Sequence, residues 1–211
     1  MIKLTKNKIR WIILFICLVI FLFIAEDVFN KEMMKADIIG YNLVSKYLIS
    51  ENVTPIVKII TNLGGAFTLI TISIISIVII RDKKIGISIL LNLLSISALN
   101  LALKNILQRP RPNEFRIIDE SGYSFPSGHS MISMAFYGFI IYLIYKNVKN
   151  NYLKYGLIAF LSILIFLIGI SRIYLGVHYT SDVIAGFLIS IAYLMIVTSF
   201  AKKYLNSKGM E

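Results

Sequence analysis

An all-α, polytopic membrane bundle with six transmembrane helices is the fold class this sequence predicts, and three observations predict it. Hydrophobic residues make up 57% of the 211-residue chain and charged residues only 16%, against roughly 45–50% and about 25% in soluble domains. The apolar residues gather into runs of about 20, the length that crosses a bilayer as a helix. Lysines and arginines cluster in the short segments between those runs, where positive charge sets membrane orientation. The chain reads as one domain, 1–211, since no repeat or low-complexity stretch divides it.

Taken in order, Lys3, Lys6, Lys8 and Arg10 precede the first run, Trp11 to Ala25. No small-x-small cleavage pattern follows at Phe23-Ile24-Ala25-Glu26-Asp27, so an uncleaved first span with a cytoplasmic N-terminus is expected rather than a signal peptide. Cys17 lies inside this run. A lone cysteine supports neither an intrachain disulfide nor a cysteine metal site, and it is expected to pack as a small apolar residue. Between Glu26 and Glu51 the segment is polar, yet Ile38, Ile39, Leu43, Val44, Tyr47 and Leu48 recur at roughly helical spacing. That pattern predicts an interfacial amphipathic helix between spans one and two.

Pro55 opens the second span, Ile56 to Ile80, in which Gly64-Gly65 admits close helix contact. Arg81-Asp82-Lys83-Lys84 is a basic turn. The third span, Ile85 to Leu107, carries Ser88, Asn92, Ser95, Ser97 and Asn100, so one of its faces is expected to look into the bundle. A long loop rich in Pro, Arg and Glu, Gln108 to Phe125, leads to the fourth span, Ser127 to Tyr145. After a second basic turn, Lys146 to Lys154, come the fifth span, Tyr155 to Ile170, and the sixth, Ser181 to Ala201.

Six spans place the N-terminus, both basic turns and the tail with Lys202, Lys203 and Lys208 on one side. These segments hold four, three, three and three basic residues, which makes that side cytoplasmic in a plasma membrane. The net charge of +11 is accounted for by topology and anionic lipid. No aromatic-basic interleaving suggests a nucleic-acid partner, and no obligate protein partner is evident. The end of span three, the start of span four and the loop between spans five and six then share the extracytoplasmic face.

The residues able to do chemistry fall on that face. The chain has two histidines, His129 and His178. Asp182 follows His178 by four residues, where a helical turn would set its carboxylate beside the imidazole. A carboxylate on one ring nitrogen fixes the tautomer and frees the other nitrogen to attack or to take a proton. Arg172 offers a planar fork suited to phosphate oxygens. Lys104 and Arg111 add two cations, although basic residues at span ends commonly snorkel. Pro126-Ser127-Gly128 reads as a helix start, with proline in the first turn and serine as cap; its free N–H groups form a phosphate cradle that Gly128 lets approach closely. His129 can protonate a departing oxygen. The carboxylates Glu26, Asp27, Glu32, Asp37, Glu51, Glu114, Asp119 and Glu120 have no tight pairing with histidine in the sequence, so a two-metal phosphatase site is not supported and no metal or cofactor is expected.

Three blocks carry these residues: Lys104-Asn105-Ile106-Leu107-Gln108-Arg109-Pro110-Arg111-Pro112, Phe125-Pro126-Ser127-Gly128-His129-Ser130, and Ser171 to Asp182. Together they resemble the type 2 phosphatidic acid phosphatase superfamily, which includes vanadium-dependent haloperoxidases. Its signatures Lys-x6-Arg-Pro, Pro-Ser-Gly-His and Ser-Arg-x5-His-x3-Asp are matched at Lys104/Arg111/Pro112, Pro126 to His129, and Ser171/Arg172/His178/Asp182. A second Arg-Pro pair, Arg109-Pro110, could add charge at the mouth of the site. The resemblance implies an integral membrane lipid phosphatase in which His178 attacks phosphorus to give a phosphohistidine, Asp182 orients His178 and His129 protonates the leaving group. Lys104, Arg111, Ser127, Gly128 and Arg172 would hold the phosphate. Small bacterial members of this family act on phosphatidylglycerophosphate, phosphatidic acid or undecaprenyl pyrophosphate, so a lipid phosphate monoester or pyrophosphate is the expected substrate. A lipid phosphotransferase using the same phosphohistidine and a non-enzymatic anion-binding membrane protein are the competing readings. A haloperoxidase is disfavoured, because members of that kind are soluble.

Overall fold

The computed structural model describes residues 6–32, 34–113 and 116–206; Lys3, Lys208 and Glu114 of the sequence reading lie outside the described residues. These residues form eight helices: α1 (Lys6–Phe29), α2 (Lys35–Tyr47), α3 (Thr54–Leu63), α4 (Ala66–Ile79), α5 (Lys83–Leu107), α6 (Gly128–Asn147), α7 (Asn151–Tyr174) and α8 (Thr180–Asn206). Among the described residues there is no strand. Helices α1, α5, α6, α7 and α8 are each long and apolar enough to cross a membrane, and α3 with α4 makes a bent sixth span. The amphipathic helix expected between the first two spans is α2.

The second span departs from expectation. It is two helices that meet at 45°, broken at Gly64-Gly65, where a continuous helix with a close contact was predicted. The close contact is there as well: a Cβ on Gly64 would lie 2.7 Å from Ile168 Cγ2. Carbonyls released by the break need partners, because lipid offers none. The Tyr137 hydroxyl donates to Leu63 O at 2.6 Å and the Thr68 hydroxyl to Asn62 O at 2.7 Å. The other spans each run past a predicted bound on at least one side, although α5 ends at Leu107 as expected and α6 begins one residue inside its predicted start; helices continue through the interface until a cap stops them. Asp82 caps α5 by accepting from Lys84 N at 3.1 Å, and Asn150 caps α7 by accepting from Leu153 N at 3.1 Å.

Helix α6 packs against α5, α7 and α8, while α1 lies on α8, α3 on α7, α4 on α5 and α2 across α7 and α8. Leu69, Leu93, Phe136, Phe139, Ile165 and Ile168 fill the largest core cluster. Trp11, Phe15, Phe67, Phe160 and Phe166 point outward and are each more than 60% exposed, an apolar exterior suited to lipid. Of the polar residues on the third span, Ser88, Asn92 and Asn100 are buried, Ser97 is half-buried and Ser95 is exposed. Asn92 donates to Ala135 O at 3.2 Å and Asn100 to Pro126 O at 3.3 Å, the interhelical polar ties that hold membrane bundles.

The two ends of the bundle differ. At one, Arg10 donates to the Thr198 hydroxyl at 2.9 Å and the Lys84 ammonium lies 5.6 Å from the Tyr204 ring centre. The start of α1, the start of α5 and the end of α8 therefore meet there. At the other, Ile117 N donates to Leu175 O at 3.0 Å and Ser127 N to Asp182 O at 3.1 Å. The loop from 108 to 127 is thus stitched to the α7–α8 turn, and α2 covers both.

Candidate active site

Helix α7 stops at Tyr174, the turn reverses through Gly176 at φ 69°, and α8 starts at Thr180. His178 therefore stands in the turn, ahead of the helix. Its partnership with Asp182 does not come from one helical turn, as the spacing suggested. Asp182 sits in the first turn of α8 and its carboxylate folds back over the residues before it, accepting from Tyr179 N at 3.0 Å and facing His178 Nδ1 at 3.3 Å. Both side chains are buried, Asp182 completely. Burial pushes the His178 pKa down to about 3, although Asp182 pulls it the other way. The ring is thus neutral at pH 7. With Nδ1–H donating to Asp182, Nε2 is the acceptor, and Arg111 Nη1 donates to it at 3.0 Å.

Backbone carbonyls hold Arg111 and Lys104 in place, while side chains hold Arg172. Arg111 donates to Gly122 O at 3.0 Å, Val177 O at 3.0 Å and Ser121 O at 3.1 Å. Arg172, 1% exposed, donates to the Thr61 hydroxyl at 2.8 Å and to the Glu120 carboxylate, and its Nε has no partner among the described residues. Thr61 belongs to α3, so the broken span fixes one side of the Arg172 fork. Glu120 also lies 3.6 Å from Arg111. A carboxylate thus sits between two of the three cations expected to hold phosphate. The third, Lys104, donates to Tyr123 O and Ser124 O.

Ser127 is the N-cap of α6, with extended backbone angles, so Pro126 precedes the cap and does not occupy the first turn as expected. The Ser127 hydroxyl oxygen accepts from Ser130 N at 3.5 Å and from the Ser130 hydroxyl at 2.9 Å. Its backbone N–H is used on Asp182 O. The following N–H groups, of Gly128 and His129, have no acceptor inside the helix. A Cβ on Gly128 would lie 3.2 Å from Asn100 Oδ1 and 3.9 Å from Lys104 Cε, which sets the lysine stem beside that helix start. The His129 ring lies against the Gly64 break, its Cδ2 3.5 Å from where a Gly64 Cβ would stand.

Sequence reasoning gave Arg109 a different place and gave Asp37 and Glu120 no part in the site. Arg109 is not at the mouth: it is 7% exposed and lies behind Asp182. Its Nη1 donates to Asp182 Oδ1 at 2.7 Å and to the Ser181 hydroxyl at 2.7 Å, its Nη2 to Asp37 Oδ2 at 2.7 Å. The guanidinium stacks over the Tyr179 ring, 4.0 Å from its centre. Asp37, 3% exposed on α2, accepts from Ser181 N at 2.8 Å through its other oxygen. Glu120 is the third of these residues. No local pattern marks any of them, since each partner lies at least 52 residues away in the chain, Arg111 and Glu120 excepted.

A cavity of about 450 Å³ reaches His178 and Arg111 between Ile38, Tyr41 and Asn42 of α2 and the Pro110–Asn113 strip, a size typical of small-ligand sites. Among the described residues, no three His, Cys, Asp or Glu side chains gather as metal ligands would. Of the residues expected to handle phosphate, His178 and Arg111 line this cavity, while Lys104, Arg172 and the start of α6 are not part of its lining; a neutral imidazole beside a fixed guanidinium suits a phosphoryl group.

A family model described as the PAP2 superfamily matches residues 85–205. Phosphatidylglycerophosphatase B of Bacillus subtilis (strain 168) is 34% identical over 154 residues, covering 68% of this chain and 73% of that protein. Undecaprenyl-diphosphatase of Sulfolobus acidocaldarius is 25% identical over 191 residues, covering 85% and 84%. The crystal structure of a transmembrane PAP2-type phosphatidylglycerolphosphate phosphatase from Bacillus subtilis superposes with a TM-score of 0.78 at 27% identity, covering 90% of this chain and 96% of that one.

Proposed function

The chain belongs to the PAP2 superfamily, and from that premise we propose that it hydrolyses a lipid phosphate monoester or diphosphate through a phosphohistidine on His178. One observation carries the reading: neutral His178 is held with Nδ1 on Asp182 and Nε2 directed at Arg111. The names of the relatives, a phosphatidylglycerophosphatase and an undecaprenyl-diphosphatase, point to a glycerophospholipid phosphate or a polyprenyl diphosphate as substrate.

The phosphoryl group binds where the Glu120 carboxylate lies, drawing on Arg172, Arg111, Lys104 and the first N–H groups of α6. His178 Nε2 attacks phosphorus and the bond from phosphorus to the lipid-side oxygen breaks. His129 gives that oxygen a proton, because an unprotonated leaving oxygen departs poorly. The imidazole ring carries a positive charge in the phosphohistidine, and Asp182 balances it. Water then gives a proton to His129 and attacks phosphorus, the P–N bond breaks, and inorganic phosphate leaves with His178 neutral again. Lys104, Arg111 and Arg172 supply the charge balance that other phosphatases draw from metal ions. The site faces the extracytoplasmic side and both termini the cytoplasm, a reading supported by the basic turns at the opposite end of the bundle.

The test is phosphate release by the purified protein in detergent with EDTA, from phosphatidylglycerophosphate, phosphatidic acid and undecaprenyl pyrophosphate. Release is expected from at least one of them, and none from His178→Ala. Full turnover by that variant would overturn the nucleophile. Release that appears only after an acceptor lipid alcohol is added would make the protein a phosphotransferase.

A further inference from the structure

Behind the proposed nucleophile lies a second charge arrangement. Asp182 is not a simple partner of His178, because its other oxygen is bound by Arg109 at 2.7 Å. A guanidinium this close neutralises most of the carboxylate's field, and in a site this buried little solvent screens either charge. Taken alone, the Arg109–Asp182 pair would offer a phosphorylated His178 a counter-charge near zero. The structure supplies the correction from α2. Asp37 binds the far side of Arg109 at 2.7 Å and is itself 3% exposed. The trio Asp37, Arg109 and Asp182 then carries a net charge of −1, as the two carboxylates and one guanidinium require.

The same aspartate is fixed to the α7–α8 turn. Its second oxygen accepts from Ser181 N at 2.8 Å, in the first turn of α8, where helix N–H groups favour negative charge. Around it α2 is seated closely: a Cβ on Gly40 would lie 2.1 Å from the Thr180 hydroxyl oxygen. The other charged groups on the His178 side are Arg111, Arg172 and Lys104, all cations, with Glu120 between the two arginines. Asp37 thus reaches His178 through Arg109 and Asp182, on the Nδ1 side of the ring, whereas Arg111 meets Nε2.

We propose that Asp37 is a positioning residue that keeps the buried trio at one net negative charge, so that Asp182 retains the counter-charge His178 needs when it carries a phosphoryl group. The proposal rests on the phosphohistidine reading above and extends it to α2, a helix outside the matched family region.

Substituting Asp37→Asn deletes the charge and keeps the shape and the acceptor for Ser181 N. With a short-chain phosphatidic acid in detergent, kcat is expected to fall about tenfold to a hundredfold, the range found for outer partners that orient metal-bound histidines. Inhibition by inorganic phosphate stays at the wild-type level, because its cations are untouched. Inhibition by vanadate, which bonds the nucleophile as the transferring phosphorus does, weakens in step with kcat. The decisive variant is Asp37→Asn combined with Arg109→Gln, which removes one negative and one positive charge and returns the trio to −1. It is expected to be more active than Asp37→Asn alone. A purely structural clamp predicts the reverse, since the second change removes further hydrogen bonds.

A wild-type kcat in Asp37→Asn would overturn the proposal. So would a double variant less active than the single one, or phosphate inhibition that weakens as much as vanadate inhibition. If Asp37→Asn does not fold, the double variant carries the test: substantial activity supports the charge balance, and an inactive protein that still binds phosphate refutes it. His178→Ala measured alongside separates the two levels, because turnover there removes the phosphohistidine reading and this proposal with it. An inactive His178→Ala beside a fully active Asp37→Asn removes this proposal alone.

Discussion

Replacing Glu120 with glutamine should tighten phosphate binding. The Glu120 carboxylate bridges Arg172 and Arg111, the latter at 3.6 Å, and the side chain is 28% exposed. An incoming phosphate must displace it, so whatever the bridge contributes is subtracted from binding. A hydrogen bond between charged groups contributes about 1.5–3 kcal/mol, an exposed ion pair about 0–1 kcal/mol. A partly exposed carboxylate on one buried arginine and one more distant arginine falls between them, at about 1–2 kcal/mol. At about 1.4 kcal/mol for each factor of ten, Glu120→Gln should lower the inhibition constant of inorganic phosphate about fivefold to thirtyfold. The glutamine carbonyl can still accept from Arg172, which places the lower figure closer to the expected result. The assay is competitive inhibition of lipid hydrolysis by phosphate at two ionic strengths; the gain should shrink in high salt, because the pair is partly exposed. An unchanged or raised inhibition constant would refute the argument that this carboxylate and the substrate phosphate share a position.

Other expectations follow from the same contacts. Gly64→Ala would drive its methyl into Ile168 at 2.7 Å and should destabilise the protein by about 1–3 kcal/mol, the range for overpacking, read as a lower thermal midpoint in detergent. Arg172→Lys removes the fork that reaches Thr61 and Glu120 together, and should raise KM more than it lowers the melting temperature, since a point charge cannot replace planar recognition. Burial holds His178 near 3 against an ordinary value of about 6.5. The unfolded chain therefore binds the proton first, and the stability tied to this neutral ring is present above about pH 6.5 and is lost as the pH falls toward 3. Thermal melts between pH 7 and pH 4 should decline less steeply for His178→Gln than for the wild type.

The parts of the fold imposed by lipid were legible in the sequence. Six apolar runs correspond to α1, α3–α4, α5, α6, α7 and α8, because a bilayer demands length and apolarity that few other constraints mimic. Helix α2 was legible by its period. The break at Gly64-Gly65 was not, because two glycines permit either a packed helix or a bend. What decides is two hydroxyls that donate to carbonyls at the break, from Tyr137, 74 residues on, to Leu63 O and from nearby Thr68 to Asn62 O. In the candidate site, the short-range features were readable: the His178–Asp182 spacing and the Ser127 cap. The spacing led to a true contact for an incomplete reason, since His178 precedes the helix. Asp37 and Glu120 were read only as carboxylates without a nearby histidine, and the fold brings them to arginines 72 and 52 residues away.

The cavity that reaches His178 has α2 as one wall, and away from the cavity that helix presents Ile39 and Leu43, each more than half exposed. An amphipathic helix of this kind lies at the headgroup level, so the opening beside it is met by a lipid that drifts within its own leaflet. Encounter is then a two-dimensional event. The quantity that saturates the protein is the mole fraction of phosphorylated lipid in the surface, and diluting the substrate with inert detergent or neutral lipid at constant bulk concentration lowers the rate.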